Sequence, residues 1–187
     1  MKKNKVIFLD RDGVINYDEN YVHLIEDFRF IEEVFDACLR FIDAGYQIVI
    51  ITNQAGIGRG YYSENDFKVL NNWMLTEFKK QGIDILGVYY CPHHSEYAIG
   101  DYLQDCECRK PEPGMLIKAM VDHNIDMSSS LLVGDKLSDI KAGRLAGVQR
   151  CFFVETGKIV TDSDRVHADG VLVDLAAVAE LVCNSRH

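Results

Sequence analysis

Four aspartates and one lysine stand where they could work together. Asp10 and Asp12 follow the apolar run Val6-Ile7-Phe8-Leu9, and Asp135 and Asp139 follow Leu131-Leu132-Val133-Gly134. Thr52-Asn53-Gln54-Ala55 follows a run from Ile48 to Ile51, and Arg109-Lys110-Pro111 precedes a segment of helical periodicity. Carboxylates, a hydroxyl, an amide and cations in this arrangement suit phosphoryl transfer. A carboxylate can attack phosphorus and form a covalent intermediate. A second carboxyl two residues on can protonate the leaving oxygen and then activate water. Crowded carboxylates repel one another unless a hard cation sits among them, and Mg²⁺ takes one or two carboxylates plus phosphate oxygens. Lysine and threonine donors can bind the equatorial oxygens of the group in transfer. Any one of these aspartates reads equally well as a helix cap or a solvated turn. Four such motifs, in this order and each at the edge of an apolar run, do not.

A second constellation reads Cys91-Pro92-His93-His94, then Cys106-Glu107-Cys108. Residues two apart point the same way in an extended segment. Cys91, His93, Cys106 and Cys108 therefore make a Cys₃His set suited to a closed structural zinc site. His94 is the alternative to His93. Free thiols in a surface loop are the competing reading, and a disulfide conflicts with a reducing compartment. The stretch from Cys91 to Lys110, about 20 residues of little periodicity, needs something to order it inside a compact domain, and zinc would do so. Cys38, Cys151 and Cys183 fall on a helix face, in a strand and near a helix end, and read as packing. His23, His123, His167 and His187 show no partner pattern.

Short apolar runs alternate with helix-period segments, which is how such residues could reach one edge. Val6 to Leu9, Ile48 to Ile51, Ile85 to Tyr90, Leu131 to Val133 and Cys151 to Val154 read as buried strands, with Val171 to Val173 a short sixth. Ile31, Val34, Phe35, Cys38, Leu39 and Ile42 follow helical spacing, closed by Gly45. Ser63-Glu64-Asn65-Asp66 reads as a capping box opening a helix to Gly82. Pro113 suits the first turn of a helix carrying Leu116, Ile117, Met120 and Val121. A helix from Leu137 to Ala146 ends at Gly147, and Asp174 caps a last one to about Cys183. Alternating strands and helices with continuous apolar strands predict an α/β fold, a parallel sheet covered on both faces. In such sheets ligands bind at the carboxyl ends of the strands. Gly56, Gly58 and Gly60 around Arg59 have the look of a phosphate cradle, and flexible turns explain them as well. From Lys158 to His187 no chemistry is legible.

The chain has 187 residues, 20 Lys+Arg against 29 Asp+Glu, and a formal charge of −9 at pH 7. That balance argues against a protein that works by neutralising nucleic-acid phosphates. The length and an apolar fraction of 48% fit one domain over residues 1–187 with an adequate core. No apolar run is long enough for a secretory core or a membrane span. The expectation is a cytoplasmic protein, with no membrane or nucleic-acid partner, and nothing demands more than a monomer.

Asp10-x-Asp12-Gly13, Thr52, Lys110 and Gly134-Asp135-x-x-x-Asp139 resemble the four motifs of the haloacid dehalogenase superfamily. The resemblance covers about Lys5 to Val154 and implies a Rossmann-like, doubly wound parallel sheet. It implies Asp10 as nucleophile, Asp12 as general acid/base, and Thr52 and Lys110 as holders of the phosphoryl group. Mg²⁺ would sit on Asp10, the backbone carbonyl of Asp12, and Asp135, with Asp139 in or near the second layer. Dehalogenases of the superfamily lack the second aspartate, because a carbon–halogen bond needs no leaving-group proton, so Asp12 points to a phosphatase. The spacings between motifs leave no room for a separate cap domain. With its zinc loop at about 91–110, the chain resembles the branch of histidinol-phosphate and heptose-bisphosphate phosphatases. Asp10 to Asn16, Tyr21-Val22 and Glu26-Asp27-Phe28 lie nearest the heptose-bisphosphate group. That group implies a small phosphorylated sugar as substrate, on the route to nucleotide-activated heptose and lipopolysaccharide core. Arg11, Asp18, Glu19, Asn20, Tyr21, Asn53, Gln54, Ala55, Arg109 and Lys136 would contact it, Arg109 at the second, non-reacting phosphate. The alternative is a histidinol-phosphate phosphatase of histidine biosynthesis.

Overall fold

Strand β1 (Val6–Leu9) shows how the sheet is built. All four side chains are buried, and they alternate between the two faces. Ile7 and Leu9 join one apolar cluster, while Val6 and Phe8 join the other. The strands beside it repeat the division: Ile48 and Ile50 face one way, Val49 and Ile51 the other. Continuous apolar runs are what a sheet with both faces covered requires.

The computed structural model describes residues 3–184. His187, read above as a histidine without a partner pattern, lies outside them. In chain order the elements are β1, α1 (Val34–Asp43), β2 (Gln47–Asn53), α2 (Ala55–Gly58), α3 (Glu64–Lys80), β3 (Ile85–Cys91), α4 (Gly114–His123), β4 (Leu131–Gly134), α5 (Leu137–Leu145), β5 (Arg150–Val154), α6 (Asp162–Arg165), β6 (Gly170–Leu172) and α7 (Leu175–Cys183). The sheet order is β3-β2-β1-β4-β5-β6, with every pairing parallel. Helices α1, α3 and α7 cover the face of Ile7 and Leu9, and α4 and α5 cover the face of Phe8.

The order reverses direction between β1 and β4, so the crevice outside their carboxyl ends is the expected ligand site. Local signals fix the helix ends. Ser63 and Asp66 form the capping box of α3, and the Asp174 carboxylate accepts from Ala177 N–H at 2.8 Å at the start of α7. Gly45, Gly82 and Gly147 close their helices at positive φ. Four short elements were not expected: α2, α6 and the 3₁₀ turns Gly100–Tyr102 and Met127–Ser129. They carry too few residues for a period to register. Strand β2 runs on to Asn53 and β3 to Cys91, so Thr52 and the first thiol of the loop belong to strands.

Candidate active site and metal centre

Asp10 leaves the end of β1 with its N–H bonded to Val133 O at 3.1 Å, which ties it to β4. Asp135 leaves β4, and Asp139 sits in the first turn of α5, where its Oδ2 accepts from Lys136 N–H at 2.9 Å. Carboxylate oxygens of Asp10, Asp135 and Asp139 lie within 4.8 Å of one another, and all three side chains are buried. Lys110 reaches into this cluster from the far side. Its Nζ lies 3.0 Å from Asp10 Oδ1, 2.6 Å from Asp139 Oδ1 and 2.9 Å from Ile51 O.

Electrostatics follow from that crowding. Burial, and then the Asp139 charge, push the Asp10 carboxyl up to about 7, with Lys110 and Lys136 opposing. Burial also raises Asp135. Burial alone would lower the Lys110 ammonium, but Asp10 and Asp139 outweigh it and the net shift is upward. Asp135 Oδ1 is buried without a hydrogen-bond partner, and the nearest cation, Lys136 Nζ, stands 3.5 Å away. An oxygen in that condition, beside two more carboxylates, suits a small hard divalent cation. The residues present therefore fit Mg²⁺. The backbone is pressed against the same group: Gly13 has φ +93°, and a Cβ at Gly13 or Gly157 would fall 2.5 or 2.1 Å from Asp135 Oδ2.

Asp12 points elsewhere. Its carboxylate accepts from Arg11 Nη2 at 2.9 Å, Asn16 Nδ2 at 3.0 Å and Gln54 Nε2 at 3.1 Å. Burial would raise its pKa, but the Arg11 charge and the hydrogen bonds from Arg11 and Asn16 outweigh it and hold it below the usual carboxylate range. Gln54 also donates to Thr52 Oγ1 at 2.8 Å, and Tyr62 OH donates to Gln54 Oε1 at 2.6 Å. Tyr62 thus fixes which end of the amide faces Asp12 and Thr52. Asn53 clamps the backbone of Lys110, accepting from its N–H at 3.1 Å and donating to its carbonyl at 3.0 Å.

A cavity of about 480 Å³ opens above, lined by Asp12, Asp18, Asn20, Tyr21, Asn53, Gln54, Ala55, Arg109, Lys110 and Lys136 among others. A recess of about 30 Å³ shares Asp12, Asn53, Lys110 and Lys136 with it and ends on Asp10 and Asp139. Two residues expected at the substrate are placed otherwise. Arg11 is 1% exposed, and its guanidinium is spent on Asp12 and on Val22 O, between the rings of Phe28 and Phe67. The side chain of Glu19 is exposed and pairs with Arg29. The stretch from Lys158 to His187, where no chemistry was legible, does reach the site through Lys158, and Thr156 just before it does so too. Thr156 Oγ1 bonds Gly13 O at 2.6 Å, Lys158 N–H bonds Asp135 Oδ2 at 3.1 Å, and Lys158 Nζ lies 3.4 Å from Asp18. The signal was present, since Thr156-Gly157-Lys158 follows β5 just as the other motifs follow their strands. Lys158 and Tyr62, to which the sequence assigned no role, line the cavity, as does Arg59 from the glycine-flanked candidate phosphate cradle. Gly56 and Gly58 serve close packing, as a Cβ there would meet Tyr62 at 2.2 Å and Pro92 O at 2.4 Å.

Beyond Asn53, on the edge strand, lies the thiol cluster. Cys108 Sγ is 3.0 Å from Cys91 Sγ, 3.2 Å from Cys106 Sγ and 3.4 Å from His93 Nδ1. Cys91 Sγ is 3.5 Å from Cys106 Sγ and 3.7 Å from His93 Nδ1. Four donors on a tetrahedron of Zn–S bonds would stand about 3.8 Å apart, so this donor set fits zinc in chemistry and in size. His94 is turned away, its Nδ1 accepting from the N–H groups of Glu96 and Tyr97 at 3.1 and 3.3 Å.

Comparison with known proteins bears on this geometry. The family model described as HAD-hydrolase-like matches residues 107–178. The chain is 46% identical to the D-glycero-beta-D-manno-heptose-1,7-bisphosphate 7-phosphatase of Pasteurella multocida, over 95% of the chain and 96% of that protein. It is 51% identical to the D-glycero-alpha-D-manno-heptose-1,7-bisphosphate 7-phosphatase of Photorhabdus laumondii, over 83% and 85%. The structure resembles that of D,D-heptose 1,7-bisphosphate phosphatase from B. bronchiseptica complexed with magnesium and phosphate. That match has a TM-score of 0.82 and 29% identity, and covers 96% of this chain and 98% of the other.

Proposed function

The chain belongs to the haloacid dehalogenase-like hydrolases, among the heptose-bisphosphate phosphatases, and on that premise we propose that it removes the 7-phosphate of D-glycero-D-manno-heptose 1,7-bisphosphate through an aspartyl-phosphate on Asp10. One observation carries the chemistry. Two carboxylates two residues apart lie in opposite environments, Asp10 among acids and Lys110, Asp12 among donors. Separating the environments of two acids is how their roles are separated.

An Asp10 oxygen attacks phosphorus, and the bond from phosphorus to the sugar oxygen breaks. Asp12 gives that oxygen its proton. Before substrate binds the Asp12 carboxylate is ionised; the incoming phosphate, doubly charged above about pH 6, raises its proton affinity by like-charge repulsion, and Asp12 takes from solvent the proton that it then gives. A water then attacks the aspartyl-phosphate while Asp12 takes its proton, releasing phosphate and restoring Asp10. Lys110 and Thr52 hold the transferring oxygens, Gln54 orients Asp12 and Thr52, and Asn53 fixes Lys110. Mg²⁺ on Asp10, Asp135 and the Asp12 carbonyl, with Asp139 beside it, would neutralise charge on those oxygens. Zinc on Cys91, His93, Cys106 and Cys108 would order the loop that presents Arg109.

The same reading makes the enzyme a cytoplasmic monomer supplying nucleotide-activated heptose for lipopolysaccharide core. It is consistent with the fact that no helix among the described residues is long and apolar enough to cross a membrane. The names of the relatives favour heptose over histidinol phosphate. A phosphate-release panel with both heptose-bisphosphate anomers and histidinol phosphate tests it. Release from a heptose bisphosphate should exceed release from histidinol phosphate, stop with EDTA and return with Mg²⁺. Equal turnover of histidinol phosphate would sink the substrate assignment, and activity in metal-free enzyme would sink the metal.

A further inference from the structure

Arg59 has no part in the reaction described above, yet it lines the same cavity as Arg109 and Lys110. Among the described residues its guanidinium has no carboxylate and no hydrogen-bond acceptor, and its Nε is buried without a partner. Its Cζ lies 4.9 Å from the Tyr97 ring and 5.8 Å from the Tyr21 ring. A buried donor left unpaired is costly, so an arginine held this way waits for an acceptor.

The lysines of the cavity are already answered by acids. Lys110 sits on Asp10 and Asp139, while Lys136 and Lys158 converge on Asp18 at 3.5 and 3.4 Å. Arg109 has only a backbone carbonyl, His93 O at 3.2 Å. Two guanidiniums are thus uncompensated. They are also held together, because the turn carrying Arg59 is docked on the loop carrying Arg109. Ile99 N–H bonds Gly58 O at 2.8 Å, and Gly58 has no room for a Cβ against Pro92 O. The acids and Lys110 at the floor take the phosphate that reacts. A planar fork resting on aromatic faces suits a second phosphate, which it can meet bidentately.

We propose that Arg59 binds the non-reacting phosphate of the substrate alongside Arg109, and so sets the preference for a bisphosphate over a monophosphate. The proposal rests on the heptose-bisphosphate reading. Steady-state kinetics of the wild type, Arg59→Ala and Arg59→Lys on heptose 1,7-bisphosphate and on heptose 7-phosphate test it. For Arg59→Ala, kcat/KM on the bisphosphate should fall about 10- to 100-fold, chiefly through KM, with the monophosphate changed less than about threefold. Arg59→Lys should recover part of the loss, since charge survives and the fork does not. An equal fall on both substrates, or none on either, would overturn the proposal, with zinc content and circular dichroism showing that each variant is folded. A wild type that leaves the bisphosphate intact would instead overturn the reading beneath it.

Discussion

Asp10 and Asp12 share a backbone segment and almost nothing else. Asp10 is raised to about 7 by burial and by neighbouring acids, while Asp12 is held low by Arg11 and the Asn16 amide. The difference comes from what each side chain faces, and Arg11 illustrates it. As a residue type beside two aspartates it suggests a phosphate ligand, yet its guanidinium is turned inward to hold Asp12. Asp10→Asn keeps the shape and removes the nucleophile, so kcat should fall by about 10³-fold or more with substrate binding retained. Phosphate release by the folded variant at near-normal rate would remove Asp10 from the covalent role.

At the scale of elements, strands end where chemistry begins. β1, β2, β4 and β5 deliver Asp10, Thr52, Asp135 and Lys158 to one edge, and β3 delivers Cys91. The loop after β3 has little regular structure of its own, and its order depends on four converging donors and a few backbone bonds. One of these, Gly114 N–H to Glu107 O at 2.7 Å, ties the start of α4 back across the turn that holds Cys108, Arg109 and Lys110. Cys106→Ser should therefore release zinc and displace Arg109 and Lys110. Elemental analysis should show the metal lost, and kcat/KM should drop about tenfold or more, as when a supporting contact of a metal site is lost. Zinc retained at full content would remove Cys106 from the ligand set.

At the scale of the molecule, a sheet with apolar clusters on both faces holds these ends in place. Phe8 lies fully buried between β1 and helices α4 and α5. Phe8→Ala should cost about 3–5 kcal/mol of stability, read as a lowered midpoint in urea. A cost under about 1 kcal/mol would mean that this face of the sheet contributes little. The charge of −9 says little about the substrate, because cations collect at one cavity whatever the sum. Arg59, Arg109, Lys110, Lys136 and Lys158 all line it.

Much was legible in the chain itself. Periodicity gave the alternation of strands and helices, capping residues and glycines gave the helix ends, and the motifs after apolar runs gave the acids, Thr52 and Lys110. These signals are local: a buried strand must be apolar, and a metal or phosphate needs particular atoms. What stayed hidden depends on contacts between distant residues. Arg11 turning inward, Gln54 being fixed by Tyr62, His93 rather than His94 facing the thiols, and Lys158 reaching Asp18 are such cases. Spacing along a chain says which residue types are available. Only the packed fold decides which way each side chain points and which charge is left unanswered, because burial and neighbouring groups set both.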